Sequence, residues 1–277
     1  MSYRALGVNR EPEFSPGKVD ADAAILDATL AELKREGVSI EAIDAESFGR
    51  GAAVRADLIL PMCQGARALK RLAEAERAGA IAINSALSIR NCYRDLLAAG
   101  LERAGVPTPP GALVAADEPL DMRKLAGVDL AAGVFVKRGD LHALAPDDVQ
   151  RGADRVAVEL ILANFARRGI RFAYIQQEAV GRVVKFYGVG GGAHFSAHPE
   201  GEEVAEAAFR ALSEAASTAA AALGLEAWGG DAVLSGDRFA IIDFNDWPSY
   251  SRVRASAARA IARRAMTLLA RPRQPGR

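Results

Sequence analysis

The sequence has few cysteines, no excess of either charge and no long apolar run, and each shortage excludes a class of protein. Cys63 and Cys92 are the only cysteines in 277 residues, too few for a disulfide framework or a cysteine-rich metal site. Lysine plus arginine and aspartate plus glutamate balance at 35 each, so no net charge attracts nucleic acid or an anionic membrane. The first residues lack the apolar stretch of a signal peptide. We therefore expect a cytoplasmic protein that binds neither nucleic acid nor membrane.

Strand and helix patterns alternate along the first third of the chain. The predicted strands are Tyr3–Val8, Val38–Ile43, Leu58–Pro61 and Ile81–Asn84, and the predicted helices run from Asp20 to Gly37 and from Ala66 to Ala78. Such alternation is typical of an α/β fold with a parallel, Rossmann-like sheet. Ligands bind such sheets beyond the carboxyl ends of the strands, so the loop Asn9–Lys18 after the first strand is a candidate substrate loop.

The remainder of the chain mixes long helices with short strands. A Pro-rich break, Gly105–Pro110, predicts a domain boundary. We expect one helix from Ser88 to Ala104 before this break and another from Asp147 to Arg168 after it. Further along, we expect a loop that follows Gly190–Gly192 and carries His194 and His198.

A predicted hairpin near the carboxyl end gathers oxygen ligands. Phe239–Asn245 is a buried strand, Trp228–Leu234 is its partner, and Ser235-Gly236-Asp237 is the turn between them. Side chains two apart in a strand share a face, so Asp243 and Asn245 point the same way and the pairing brings Asp231 close. Two carboxylates and an amide oxygen suit a hard cation such as Mg²⁺. The alternative is that these residues end strands and face water.

Five segments, in this order, resemble the ATP-grasp superfamily, nearest to the branch with glutathione synthetases and ribosomal-protein glutamate ligases and with features of inositol-phosphate kinases. The resemblance covers about Ile83 to Ala262. The segments are INSALSIRNCYRDLLAAGLERAGVPTPP (Ile83–Pro110), VFVKRG (Val134–Gly139), YIQQEAVGRVVKFYGVGG (Tyr174–Gly191), GGDAVL (Gly229–Leu234) and IIDFNDWPSY (Ile241–Tyr250).

The resemblance implies an ATP-grasp fold with three parts and assigns roles to individual residues. The parts are a Rossmann-like domain (1–107), a small α+β lid (108–177) and a carboxyl-terminal α+β domain (178–277). The implied cofactors are ATP and Mg²⁺ or Mn²⁺. The implied nucleotide contacts are Arg94, Lys137, the hinge residues Gln177, Glu178 and Val180, and Lys185, and the implied metal ligands are Asp231, Asp243 and Asn245.

The chain departs from the family pattern at two places. Arg94 stands where the family commonly has lysine, and arginine also binds phosphate. Where many ligases carry an arginine beyond Lys185, this chain has histidines. We expect His194, Lys185, Arg252 and Arg254 to be the catalytic groups, with the two arginines fixing an acidic co-substrate. All three histidines, His142 included, fall in predicted loops, which suggests acid–base or phosphate roles. Chance clustering explains His194 equally well and His198 better, and the two arginines could equally lie in the exposed first turn of the last helix.

The sequence favours an ATP- and Mg²⁺-dependent carboxylate-amine ligase that forms an acyl-phosphate and releases ADP and phosphate. Its co-substrates would be small molecules or peptides, and members of the superfamily are often homodimers. One alternative is a small-molecule kinase that phosphorylates an alcohol, because the segment Asp243–Tyr250 also resembles the corresponding strand of the inositol-phosphate kinases. A second alternative is a nucleotide-binding protein without catalytic activity.

Overall fold

The computed structural model describes residues 3–51, 55–141, 143–201 and 203–271, which form three four-stranded sheets and their helices. His142, predicted to lie in a loop, falls outside the described residues. Among the helices described, none is both long enough and apolar enough to cross a bilayer.

The first sheet is parallel, as the alternation of strands and helices predicts. Its strands are β1 (Arg4–Val8), β2 (Ser39–Ile43), β3 (Leu58–Pro61) and β4 (Ile81–Ala82), in the spatial order β2-β1-β3-β4. The helices among them are α1 (Val19–Arg35), α2 (Ala45–Gly49) and α3 (Ala66–Arg77). Helix α1 buries Ile25, Leu26 and Leu33 at helical spacing. Gly37, with φ at 81°, ends it in a conformation that favours glycine.

The single helix predicted from Ser88 to Ala104 is wrong, because the chain forms two helices with a break between them. The two are α4 (Ala86–Asn91) and α5 (Arg94–Arg103). Tyr93 separates them in an extended conformation, with φ at −68° and ψ at 138°, and its hydroxyl donates a hydrogen bond to the carbonyl oxygen of Gln64. The break places Arg94 at the first position of α5.

The second sheet, which we call the lid sheet, is antiparallel. Its strands are β5 (Gly111–Ala115), β6 (Val134–Arg138), β7 (Val149–Gly152) and β8 (Phe172–Gln177), in the order β5-β8-β6-β7. The helix predicted from Asp147 to Arg168 is wrong in its first part, which is strand β7 paired with β6. Helix α6 (Arg155–Arg167) begins only after Asp154, whose side chain accepts from the amide of Ala157 and caps it.

The third sheet contains the predicted hairpin. Its strands are β9 (Arg182–Val189), β10 (His194–Pro199), β11 (Ala227–Ser235) and β12 (Arg238–Asp246), in the antiparallel order β10-β9-β11-β12. Pairing of β11 with β12 confirms the hairpin. The loop predicted for His194 and His198 is wrong, because these residues form strand β10, which pairs with β9 and packs Phe195 against Phe209. Helices α7 (Glu206–Leu223) and α8 (Arg254–Leu269) flank the sheet.

The first and third sheets are joined by a shared apolar core and by one buried side chain. Helices α1 and α8 pack in the same core, where Leu26 and Ile261 are both fully buried. Asn84, just after β4, is also fully buried. Its Nδ2 donates to the carbonyl of Ala227 at 2.7 Å, and its Oδ1 accepts from the amides of Glu226 and Ala227. The side chain of Asn84 thus fixes the edge of the first sheet to strand β11.

We expect Asn84→Ala to lower the free energy of unfolding by about 3 kcal/mol, because the amides of Glu226 and Ala227 would lose their partner and the Ala227 carbonyl would keep only the amide of Trp247. Urea denaturation followed by circular dichroism measures this loss. Asn91→Ala is the control, because the Asn91 side chain makes one partly buried hydrogen bond, to Leu223 O at 3.1 Å, whose removal costs about 1 kcal/mol. A loss for Asn84→Ala no larger than that for Asn91→Ala would contradict this account.

Candidate active site

A cavity of about 440 Å³ lies where the loop after β1, the segment after β6 and the third sheet meet. Its walls combine carboxylates, cations and hydroxyl groups. The lining residues are Arg10, Phe14, Ser15, Pro16, Lys18, Asp22, Arg94, Ala143, Val149, Lys185, Tyr187, Gly230, Asp231, Asp243, Asn245, Asp246, Trp247, Pro248, Ser249 and Ser251.

The three predicted metal ligands line this cavity together. Register between the hairpin strands sets Asp231 directly opposite Asp243, and Asn245 follows two residues later on the same face. The Asn245 Nδ2 atom lies 3.5 Å from Asp243 Oδ2. Oxygen donors of this kind fit a hard divalent cation. Among the described residues, no three histidine, cysteine, aspartate or glutamate side chains form a group that could hold a metal ion, so the candidate site consists of two carboxylates and one amide oxygen.

Lys185 lies beside these carboxylates on β9. Its Nζ atom is 2.6 Å from Asp231 Oδ1. Partial burial opposes the charged form, but the Asp231 carboxylate outweighs that effect and raises the pKa of Lys185. The lysine therefore keeps its charge next to the candidate metal ligands.

Lys137, at the end of β6, is buried between the lid sheet and the third sheet. Its Nζ donates to Gln176 Oε1 at 2.8 Å and to Ile242 O at 2.9 Å. Burial lowers the pKa of Lys137 to about 8, although the Asp243 carboxylate opposes the shift. The lysine also lines a narrower pocket of about 20 Å³, with Arg94, Leu97, Ala98, Leu101, Thr108, Tyr174, Gln176, Ile241, Ile242 and Asp243.

Arg94 lines both the large cavity and the narrow pocket. Its side chain is 6% exposed, and burial lowers the pKa of its guanidinium. The Nη1 atom donates to Arg138 O at 3.2 Å and to Leu141 O at 3.1 Å. Arg94 therefore connects the first turn of α5 to the segment after β6.

The predicted hinge residues point away from both spaces. The Gln177 side chain accepts from the amide of Asp129 at 2.7 Å and donates to Gly133 O at 2.8 Å. Glu178 pairs with Arg151, and Val180 is 83% exposed. The amides of Gln177 and Glu178 already donate to Pro110 O and Gly133 O. Their contact with a nucleotide stays a prediction, and it would have to use other backbone groups.

The structure does not bring His194, Arg252 or Arg254 to the walls of the large cavity, within the described part of the chain. His194 lies on β10, where burial and the neighbouring His198 lower the pKa of its imidazole. Arg252 and Arg254 lie at the start of α8. Their catalytic roles stay predictions without support from this geometry.

The large cavity also has side chains to which the sequence patterns assigned no individual role. Arg10 Nη2 donates to Trp247 O at 2.7 Å, and Arg10 Nε lies 3.4 Å from Asp22 Oδ2. Arg10 lies in the loop after the first strand, which was predicted to contact substrate, but no pattern in that loop assigns Arg10 a role. Ser249 and Ser251 also line the cavity.

A strained turn after β12 presents these serines. Trp247 and Tyr250 have positive φ angles of 37° and 47°, which are unfavourable for side chains of this size. Trp247 Nε1 donates to Ile83 O at 2.6 Å, and the Tyr250 hydroxyl donates to Gly188 O at 2.8 Å. Because both rings are buried and anchored, the surrounding structure holds the turn in place.

No protein-family model and no curated protein sequence matches the chain. Solved structures match over nearly its whole length. The D-alanine–D-alanine ligase from Bacillus anthracis is 13% identical, with 97% of this chain and 99% of that chain covered and a TM-score of 0.74, and the same enzyme is known complexed with ATP. D-cycloserine synthetase DcsG is 18% identical, with 95% and 99% covered and a TM-score of 0.69.

D-alanyl-alanine synthetase A from Vibrio cholerae is 10% identical, with 98% and 99% covered and a TM-score of 0.73. These similarities show that the chain has the ATP-grasp fold predicted from its sequence.

The lowered pKa of Lys137 predicts how the free energy of unfolding changes with pH. Its pKa is about 8 in the folded chain against an ordinary 10.5, so between these values the unfolded chain keeps a proton that the folded chain has lost. The free energy of unfolding, taken relative to Lys137→Met, should therefore rise with pH between 8 and 10.5, by at most about 3 kcal/mol. Denaturant titrations at each pH measure the difference.

Lys70→Met provides the control, because Lys70 is exposed on α3 and contacts water in both states. We expect its stability difference to stay constant over the same range. An unchanging difference for Lys137→Met would show that the Lys137 ammonium is not destabilised by burial.

Proposed function

We propose that the protein is an ATP- and Mg²⁺-dependent ligase that joins a carboxylate to an amine and releases ADP and phosphate. The observation that carries the proposal is the convergence of Asp231, Asp243 and Asn245 with Lys185 and Arg94 on one cavity. Carboxylates beside several cations are suited to a metal-bound polyphosphate. The fold supports the proposal, because the solved structures that share it are named as ligases and synthetases.

The narrow pocket is the proposed adenine site. Leu97, Tyr174 and Ile242 give it apolar and aromatic walls, and it adjoins the large cavity at Arg94 and Asp243. Its volume of about 20 Å³ is far below that of a purine. The lid sheet must therefore move away from the third sheet to admit a nucleotide, as lids do in many enzymes.

The phosphates would extend from this pocket into the large cavity. Lys137 and Arg94 lie at the junction, and Lys185 lies further along. Mg²⁺, or Mn²⁺ in its place, would be held by Asp231, Asp243 and Asn245, and it supplies charge neutralisation for the phosphoryl group that is transferred. The cationic side chains orient the phosphate chain and counter its charge, which is the main requirement of phosphoryl transfer.

The reaction has two steps. A carboxylate oxygen of one co-substrate attacks the γ-phosphorus, the bond to ADP breaks, and an acyl-phosphate forms. The amine nitrogen of the second co-substrate then attacks the acyl carbon. Phosphate leaves with the electrons of the carbon–oxygen bond and takes up the proton that the nitrogen loses. Lys185 and Arg94 line the part of the cavity in which the transferred phosphate would lie.

The opposite end of the cavity is the proposed co-substrate site. Arg10 and Lys18 supply positive charge, Asp22 supplies negative charge, and Ser249 and Ser251 supply hydroxyl groups. A mixture of both charges suits small molecules that carry an amine and a carboxylate. The neighbours named for D-alanine and D-cycloserine favour co-substrates of this kind. No observation favours the kinase or the inactive protein.

Further parts of the proposal are the domain limits 1–107, 108–177 and 178–277, a cytoplasmic location and a homodimer. Each sheet contains strands from only one of the three proposed segments. Light scattering after size-exclusion chromatography tests the dimer, because a mass near 29.2 kDa would contradict it.

We expect the purified protein to release ADP from ATP and Mg²⁺ when a small amino acid and a second amine-bearing substrate are supplied together. Asp243→Asn should lower this rate by about 100-fold or more, because the loss of one carboxylate weakens the metal site. A coupled assay for ADP measures the rates across a panel of amino acids.

Asp237→Asn is the matched control, since Asp237 lies exposed in the turn of the same hairpin. Its rate should equal that of the unmodified protein. Equal rates for Asp243→Asn and Asp237→Asn would refute the metal assignment.

A further inference from the structure

Arg94 holds the segment after β6 from outside the lid sheet. We call this segment the lid loop, and its described residues are 139–141 and 143–145. Arg94 Nη1 donates to the carbonyl oxygens of Arg138 and Leu141, at 3.2 and 3.1 Å. A guanidinium bonded to two carbonyls in a buried setting makes charge-assisted hydrogen bonds, which are stronger than neutral ones. The first turn of α5 thereby fixes the start of the lid loop.

The far end of the lid loop is fixed within the lid sheet itself. Asp148 is fully buried, and its Oδ2 accepts from the amides of Leu144 and Ala145, at 2.7 and 3.1 Å. The same oxygen accepts from Arg138 Nη1 at 3.1 Å, and Arg168 binds the other oxygen. The Asp148 contacts lie within the segment 108–177, whereas the Arg94 contacts join that segment to helix α5. Opening of the lid loop would therefore break the Arg94 bonds and could leave the Asp148 bonds intact.

Arg94 also faces the place proposed for the phosphates. It lines both the narrow pocket and the large cavity, close to the Asp243 carboxylate. In the described part of the chain, the hydrogen bonds of its guanidinium use Nη1 alone. A guanidinium has five N–H donors in a planar fork, so one edge can bind the loop while the other binds an anion. A lysine ammonium at this position has a single nitrogen to divide between the two tasks.

We propose that Arg94 is a positioning residue that couples closure of the lid loop to binding of the nucleotide phosphates, with Nη1 on the carbonyls of Arg138 and Leu141 and its other edge on the phosphates. This inference rests on the proposed nucleotide site for its second half. The loop contacts themselves are independent of any ligand. At this position, where the ATP-grasp family commonly has lysine, the arginine can bind the lid loop and the phosphates at the same time.

The test is hydrogen–deuterium exchange of a peptide covering 139–147, in the unmodified protein and in Arg94→Lys, each without nucleotide and with saturating ATP and Mg²⁺. Without nucleotide, Arg94→Lys should exchange about tenfold faster in this peptide, because the shorter lysine side chain cannot keep both bonds, one to the Arg138 carbonyl at the end of β6 and one to the Leu141 carbonyl in the lid loop. ATP should slow the exchange of the unmodified protein further. In Arg94→Lys, bound ATP should leave the loop exchanging near its nucleotide-free rate.

Arg90→Lys is the control, because Arg90 pairs with Asp95 through two hydrogen bonds and lines neither space. Its peptide 139–147 should exchange as in the unmodified protein, and the β8 peptide 172–177 should be unaffected in every variant. Steady-state kinetics add a second readout. Arg94→Lys should raise the KM for ATP by about tenfold with a smaller change in kcat, because part of the binding energy must close the loop.

Equal loop exchange in Arg94→Lys and the unmodified protein without nucleotide would overturn the proposal, as would equal protection of both by ATP. If the unmodified protein binds no ATP, the proposed function fails, while the nucleotide-free comparison still decides the loop contact. Should Arg94→Lys not fold, Arg94→Gln, which keeps a planar N–H group on a shorter, uncharged side chain, gives the same comparison, and faster exchange than in the unmodified protein is again expected.

Discussion

The register between β11 and β12 is the constraint on which the candidate site depends. It sets Asp231 opposite Asp243 and places Asn245 on the same face. The strand pairing alone therefore brings three oxygen donors together, and none of them lies in a loop. Two adjacent carboxylates repel each other, and that repulsion must be balanced. Lys185 balances it from β9 through its 2.6 Å contact with Asp231. Lys137 on the lid strand β6 and Arg94 on helix α5 contribute further positive charge near Asp243.

The same charges explain why the lid closes over the third sheet. Lys137 donates across the boundary to Ile242 O, and Arg94 donates to the lid loop. These cations are buried and therefore need acceptors, and the protein supplies carbonyl oxygens where a nucleotide would supply phosphates. A bound nucleotide would give Lys137 phosphate oxygens in place of these acceptors. Arg94 would keep Nη1 on the carbonyls and bind phosphate with its other edge, which links nucleotide binding to the position of the lid.

The fold could be predicted in large part because its signals are local. The parallel sheet, the hairpin and the strand that carries Lys137 all follow from apolar periodicity and turn residues. The two wrong predictions, a single helix through Tyr93 and a helix over strand β7, concern elements that depend on contacts with distant residues. Helix α5 begins anew because Tyr93 bonds to Gln64 and Cys92 is buried, and strand β7 replaces a helix because β6 offers it a partner. Both choices are made by distant residues, which a local pattern does not include.

The candidate site, like the fold, was predictable where it depends on local sequence and not where it depends on distant residues. Asp231, Asp243, Asn245, Lys137, Lys185 and Arg94 were predicted as site residues, and the structure brings them together. Arg10, Ser249 and Ser251 were assigned no individual role, because their place in the cavity depends on the packing of the first sheet against the third and on a strained turn. Arg252 and Arg254 follow strand β12 in sequence, but the turn after this strand places Ser249 and Ser251 in the cavity wall instead.

The measurement that tests the central claim most directly is a thermal-shift titration with ATP and Mg²⁺ compared with ATP and a chelator. A ligand that binds only the folded chain raises its melting temperature. The account predicts a rise of several degrees with millimolar ATP and Mg²⁺ and a clearly smaller rise when the chelator removes the metal. The absence of any rise with ATP and Mg²⁺ would contradict the claim that the Asp231, Asp243 and Asn245 cavity binds a metal-bound nucleotide.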